Sequence, residues 1–281
     1  MTDLGLKVRY YQDSTKAGVP CRESAFVRRE MDMALPVEQT AMVLVDIWNV
    51  HFIESYMERE KRVVNDFILP AVQAAREAKL PIIHAPSPEA ILNPDGTLKY
   101  PQVQHIPPGI EPARSDDGPE WPPEAFRQRN QPSFNGSGNP YYAYRGPRNQ
   151  PPGINVHWKE LASELAILPA VQVEEGDDVI ATGAQLHHVL ADRHVLHLIY
   201  AGFATNWCLL GRDYGIRSMA SRGYNIIALR ECTTGVEFPD TLDNLLATEI
   251  GIREIEQQFG FTASNRDFLA ACSAIGDGRK T

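Results

Sequence analysis

No apolar run in the chain reaches the 18 or so residues that a membrane-spanning helix needs, so no membrane partner is expected. Basic charge is short as well. A formal net charge of −9 opposes binding to nucleic acid or anionic membranes, which need a basic face to neutralise phosphate. The opening MTDLGLKVRYYQDSTK has no apolar core of signal-peptide length, so the cytoplasm is the expected compartment. Cysteine is sparse: Cys21, Cys208, Cys232 and Cys272 lie far apart with no CxxC pair, which argues against a disulfide framework or a thiolate metal site. No GxGxxG follows an apolar segment, so no dinucleotide is expected, and no other cofactor either. The terminal GDGRKT lacks the spacing of a phosphate loop and reads as a frayed tail.

What is present is an ordinary globular composition, 43% hydrophobic and 22% charged, which is enough apolar material for a full core. AMVLVDI, PIIHAP, DDVIA, VLHLIYAG, YNIIALR and FTAS read as buried strands. Between them VVNDFILPAVQAAREAKL, AQLHHVLADR, a segment opened by Cys208, and DTLDNLLATEIGIREIEQQFG have helical character. Strands too apolar to have a wet face, alternating with helices, imply a parallel sheet covered on both sides. The fold class is therefore α/β: one domain over 1–281, a three-layer, Rossmann-like α/β/α sandwich on a mostly parallel six-stranded sheet.

Residues of about 95–155 break this rhythm. Twelve prolines fall between Pro101 and Pro152, with PPG, GSGNP and RGPRNQPPG as turn signals, so no long helix or central strand fits. The aromatics of this stretch (Tyr100, Trp121, Phe126, Phe134, Tyr141, Tyr142, Tyr144) argue against simple disorder and for an ordered lid or a subunit-contact arm. A homo-oligomer is expected on that basis.

In open parallel sheets ligands bind outside the carboxyl ends of the strands. Asp46 ends the first strand of the alternating series, and Cys208 follows the end of LHLIYAG. At the start of a helix a thiol meets the positive end of the dipole, which favours thiolate, and a nearby carboxylate would take its proton. The plainer alternative has Asp46 capping a loop and Cys208 packing as a small apolar group.

VLVDIWNVHF followed by YAGFATNWCLLGRDYGIRSMASRGYNIIALRECT resembles the isochorismatase-like cysteine hydrolase superfamily, which includes nicotinamidases and N-carbamoylsarcosine amidases. Asp46, Gly202, Thr205, Cys208, Gly223 and Tyr224 fit its pattern. The resemblance implies a nucleophile at Cys208, a base at Asp46, a non-proline cis peptide just before Ala204, and an oxyanion hole from the N–H groups of Ala204 and Cys208. It also implies attack on an amide carbonyl and an acyl-enzyme released by water. One residue of the pattern is missing. Where the family has a catalytic lysine, this chain has Ala181 and Thr182. Lys159, His187 and His188 are the alternative sources of positive charge, each with a surface or packing role as its plainer reading. Without a cation, the carboxylate would hold the thiol protonated.

His51 and His84 fall near the same sheet edge, but two histidines do not make a metal site, and none is expected. Trp48, Asn49, Phe52, His84 and Thr205 are the candidates for substrate contact. Arg212 and Arg217 are further residues that could face the pocket, surface solvation being the alternative for each. Two functions stay open: a cysteine hydrolase of a small amide, ureido or related C–N (or ether) substrate, and a catalytically silent relative that binds a small ligand or a protein.

Overall fold

The computed structural model describes residues 2–105, 161 and 163–278. Eight strands form one sheet in the order β2-β1-β8-β7-β6-β3-β4-β5. They are β1 (Asp3–Gln12), β2 (Val27–Pro36), β3 (Thr40–Val45), β4 (Ile82–Ala85), β5 (Asp178–Val179), β6 (His197–Gly202), β7 (Asn225–Leu229) and β8 (Phe261–Ala263). The six strands expected from apolar runs are all there, and from β5 to β8 they pair in parallel. Two more precede them. β1 and β2 form an antiparallel hairpin, and β1 adds antiparallel to β8. This hairpin has no continuous apolar run. Only alternate residues of β1 (Leu4, Leu6, Val8) turn inward, and most of β2 is exposed as the sheet edge.

Every residue of β3 is buried, because its side chains alternate between two cores. Met42 and Leu44 join the first with Ile82, Ile199 and Ile227, under α2 (Leu69–Glu77) and α6 (Asn265–Gly278). Ala41, Val43 and Val45 join the second with Ile83, Tyr200 and Ile226, under α3 (Gly183–Asp192) and α4 (Ile216–Ser221). The α/β/α sandwich follows. α1 (Glu54–Val63) begins before the expected helix and runs through a π turn (Val64–Ile68) into α2, placing the wider turn just ahead of Pro70, which has no N–H to donate. α5 (Leu246–Glu254) starts later than the apolar pattern suggested, after a left-handed Leu245. α6 takes in residues read above as a frayed tail.

Of the proline-rich stretch, 106–155 lies outside the described residues. Its start is tied down: Gln104 donates from its backbone to Val179 at 2.9 Å, and the Gln185 side chain donates to the Gln104 carbonyl.

His84, expected at the pocket, is buried on β4 and faces Asp177 instead, with its Nε2 3.1 Å from Asp177 Oδ2. Arg76 from α2 grips the same carboxylate with two nitrogens at 2.8 and 2.7 Å. Burial raises the Asp177 pKa, but hydrogen bonds from His84, Arg76 and the Glu174 backbone outweigh it and bring it down to about 2. Because this lies below the unfolded value of about 3.9, the stabilisation is complete above that pH and is lost as pH falls through the folded value. Asp177→Asn is expected to cost on the order of 2 kcal/mol at pH 7. Urea unfolding should show the gap from the parent protein narrowing below pH 4.

Candidate active site

β3 and β6 lie side by side, with Val45 paired to Gly202, while β4 continues the sheet on one side and β7 on the other. The strand order reverses between them, and a crevice opens at that point. Asp46 leaves β3 in a left-handed conformation (φ 45°), and Gly202 leaves β6 at φ 123°. A Cβ on Gly202 would lie 2.0 Å from the Val45 carbonyl oxygen, so only glycine lets the two strands run together to their ends. Gly202→Ala is expected to cost more than about 4 kcal/mol, whereas Gly276→Ala, in α6 with open space around it, should be mildly stabilising. Cooperative urea unfolding of both variants checks the contrast.

Beyond Gly202 the Phe203–Ala204 peptide bond is cis, and Thr205–Leu209 forms a single π-helical turn containing Cys208. The helix expected to open at Cys208 is thus reduced to this turn. The chain turns again and resumes as α4 only at Ile216. A five-residue turn has little dipole to offer a thiolate, so the positive charge must come from elsewhere.

It comes from Arg212, one turn beyond the cysteine, whose backbone N–H is bonded to the Cys208 carbonyl at 3.0 Å. Asp46 is 2% exposed and accepts from Arg212 Nε at 3.1 Å, from the Tyr214 hydroxyl at 2.9 Å and from the Cys208 thiol. Burial raises the pKa of Asp46, and Arg212, Cys208 and Tyr214 each pull it back. Burial, followed by the charge of Asp46, drives the Cys208 thiol upward, and Arg212 opposes this. Raised above its ordinary value, the Cys208 thiol keeps its proton at neutral pH and presents it to Asp46. Arg212 is itself raised, mainly by Asp46 against the opposing effect of burial, and is permanently charged. The position of the family lysine is filled by local structure: Thr182 caps α3, its side chain accepting from the Gln185 backbone while Gln185 accepts from the Thr182 and Ala181 N–H groups. Lys159 lies outside the described residues. His187 pairs with Tyr224 at the surface, and His188 with Asp192.

Asp46, Cys208 and Arg212 line a cavity of about 230 Å³. Trp48 and Phe52, named above as candidates for substrate contact, stand in its wall together with Ala204. Asn49 is not. Its side chain donates to the Glu164 carbonyl and accepts from the Ala166 N–H, tying the 164–167 segment beside Trp48. Thr205 lies beneath the pocket, wholly buried, with its hydroxyl bonded to that of Thr233 at 2.7 Å. Cys232 is likewise buried, against Asn265.

Arg212, named above as a residue that could face the pocket, does so and holds Asp46, while two side chains of the site escape sequence reasoning. Tyr214 looks like a core aromatic, and it reaches Asp46 through its hydroxyl. Glu60 sits in the charged string ESYMEREKRV of α1, yet it is 4% exposed and lines the cavity. Its helix turns inward because Arg59 donates to the Thr234 hydroxyl and the Gly235 carbonyl, both at 2.8 Å. The i, i+1, i+4 spacing of Tyr56, Met57 and Glu60 on one helical face was the available signal. His51 stacks on Phe52, with centroids 4.6 Å apart, and its Nδ1 accepts from the Ile53 N–H. Burial lowers its pKa to about 4, so it is neutral at pH 7 with its proton on Nε2. Among the described residues no three His, Cys, Asp or Glu side chains converge as a metal site, and His51 and His84 are held by different partners. Among them, too, no helix is long and apolar enough to cross a membrane.

No curated protein matches the chain significantly. Among solved structures, a cysteine hydrolase from Pseudomonas syringae pv. phaseolicola 1448A is 18% identical over 86% of this chain and 95% of its own, with a TM-score of 0.49. An isochorismatase family protein from Burkholderia thailandensis is also 18% identical, covering 84% of this chain and 96% of its own at a TM-score of 0.46. One from Desulfovibrio vulgaris subsp. vulgaris str. Hildenborough is 12% identical over 86% and 99%, at 0.46. The Isochorismatase domain model matches residues 40–264, most of the chain, and this chain therefore belongs to the isochorismatase family of hydrolases.

Proposed function

We propose that the protein hydrolyses a small amide, ureido or related C–N substrate through a covalent intermediate on Cys208. The observation that carries this reading is the contact of the Cys208 thiol with a carboxylate, Asp46, that Arg212 and Tyr214 hold ready to accept a proton. As sulfur attacks the substrate carbonyl carbon, its proton passes to Asp46 and the C=O electron pair moves onto oxygen. The N–H groups of Ala204 and Cys208 receive that oxyanion. When the intermediate collapses, the C–N bond breaks and the leaving nitrogen takes the proton from Asp46. Water then attacks the thioester, Asp46 takes a proton from it, and collapse returns that proton to sulfur with release of the acid.

The test is ammonia release from a panel of small primary amides and ureido compounds, with rapid quenching and mass spectrometry to find the acyl adduct. Cys21 is exposed and would be alkylated as well, so a Cys21→Ser background is used for thiol blocking. An adduct on Cys208, with release abolished by alkylating that residue, supports the mechanism. Release that survives complete alkylation of Cys208 ends it. Binding of panel compounds with no release at all would favour the silent-binder alternative.

A further inference from the structure

The charge pattern of the same cavity says what kind of molecule enters it. Three acidic residues line it, Asp46, Glu60 and Glu89, against one arginine. Its charge is offset by Asp46, which accepts from its Nε at 3.1 Å, so the two acids that remain, Glu60 and Glu89, set the balance of charge in the cavity. Glu60 is different from Asp46. It is buried in the wall, its carboxyl is bonded to the Tyr56 hydroxyl of its own helix, and it lies close enough to Asp46 for the two acids to repel. Around it the wall is aromatic: Trp48, His51, Phe52, Tyr56, Phe203 and Trp207. Ring faces beside a buried carboxyl attract a planar group bearing N–H donors or positive charge, by cation–π and charge-assisted hydrogen bonding, and repel a carboxylate.

We infer that Glu60 is the specificity residue of this pocket and that the substrate presents to it a nitrogen-rich, donor-bearing or cationic end, the reacting carbonyl lying toward Cys208. This rests on the hydrolase reading for the place of the reacting carbonyl only. The recognition itself needs no turnover.

A second property follows from the surroundings of Glu60. Burial, with Asp46 adding to it and Tyr56 and Arg59 opposing, holds its pKa up at about 8. A cation binding there must displace the proton at neutral pH. Of the other groups around the cavity, His51 is lowered to about 4, Cys208 and Tyr56 are raised and Arg212 stays charged. Asp46, raised by burial and drawn back by Arg212, Cys208 and Tyr214, is the acid that repels Glu60, and the Glu60→Gln variant separates the two. Only about a tenth of Glu60 is ionised at pH 7, so a cation should bind about tenfold more tightly at pH 9.

Benzamidine and benzoate, planar probes of the same size and opposite charge, test this by calorimetry on the full-length protein. Neither has an amide to hydrolyse. Benzamidine is expected to bind at least about tenfold more tightly than benzoate at pH 9, to weaken about tenfold at pH 7, and to lose about tenfold or more in Glu60→Gln together with the pH dependence. Equal affinity for the two probes, no detectable binding of benzamidine, or unchanged binding in the variant would overturn the assignment. Should Glu60→Gln fail to fold, the wild-type ranking and its pH dependence decide alone. If the ranking holds while the Cys208 adduct is never found, recognition stands and the hydrolytic reading falls; the converse result separates them the other way.

Discussion

Cys208→Ala is expected to lower turnover by about 10⁴-fold or more while leaving benzamidine binding within about threefold of the parent protein. Among the described residues, the sulfur is the only group lining the cavity that can form a covalent bond to carbon while Asp46 accepts its proton, so its removal leaves no route to an acyl-enzyme. Asp46, Arg212 and Tyr214 keep one another as partners without it, which is why the pocket should survive the change. Cys208→Ser should also be severely impaired, because an alcohol is a much weaker acid than a thiol and Asp46 would have to remove a far more tightly held proton. Cys232→Ala is the internal control. That thiol is buried beside Asn265, away from the cavity, so its loss should lower stability and leave the rate per folded molecule unchanged. A Cys208→Ala protein that is folded and still active would refute the nucleophile.

These expectations draw unequally on what the sequence made visible. The parallel core was legible because β3, β4, β6 and β7 are buried on both faces and so are written as unbroken apolar runs. The β1–β2 hairpin was not, since half-buried strands carry only alternation, and β2 is mostly exposed. Asp46 and Cys208 could be paired from sequence because strand ends at a reversal of strand order meet whatever the chain length between them. His84 was misplaced by the same logic: it lies one residue before the end of β4, but alternation along a strand sends adjacent residues to opposite faces, and it faces Asp177 under α2. Glu60 was hidden because a carboxylate in a charge-rich string is normally solvated, and only the pairing of Arg59 with the Thr234–Gly235 loop turns that face of α1 inward. The cation was sought after the strand that ends near Ala181, where the family has it. Here that turn is used up in capping α3, and the charge arrives from the turn after Cys208 instead.

Replacing that cation gives the second large effect. Arg212→Gln keeps a nitrogen donor at the position of Nε, the atom bonded to Asp46, but removes the charge that opposes both the burial of Asp46 and the rise of the thiol. Two unit charges about 4 Å apart interact by about 4 kcal/mol at an effective dielectric of 20, so loss of the pair can cost about 10²- to 10³-fold in kcat/KM at pH 7. The pH profile distinguishes this role from a merely structural one. With Arg212 gone, the folded-state pKa of Asp46 rises further, so the acid limb of the rate profile should move to higher pH and part of the lost rate should return in alkaline buffer. Stability should move with opposite sign. A carboxyl with its folded pKa above the unfolded value of about 3.9 favours the folded state most at low pH, so the variant should lose stability as pH rises through the raised value. Arg212→Lys keeps a charge and should lie within about tenfold of the parent protein, but a lysine can titrate where arginine does not, so it alone should add an alkaline limb. A rate profile for Arg212→Gln with its acid limb unmoved would show that the arginine does not set the charge state of Asp46, and the site would then need another source for it.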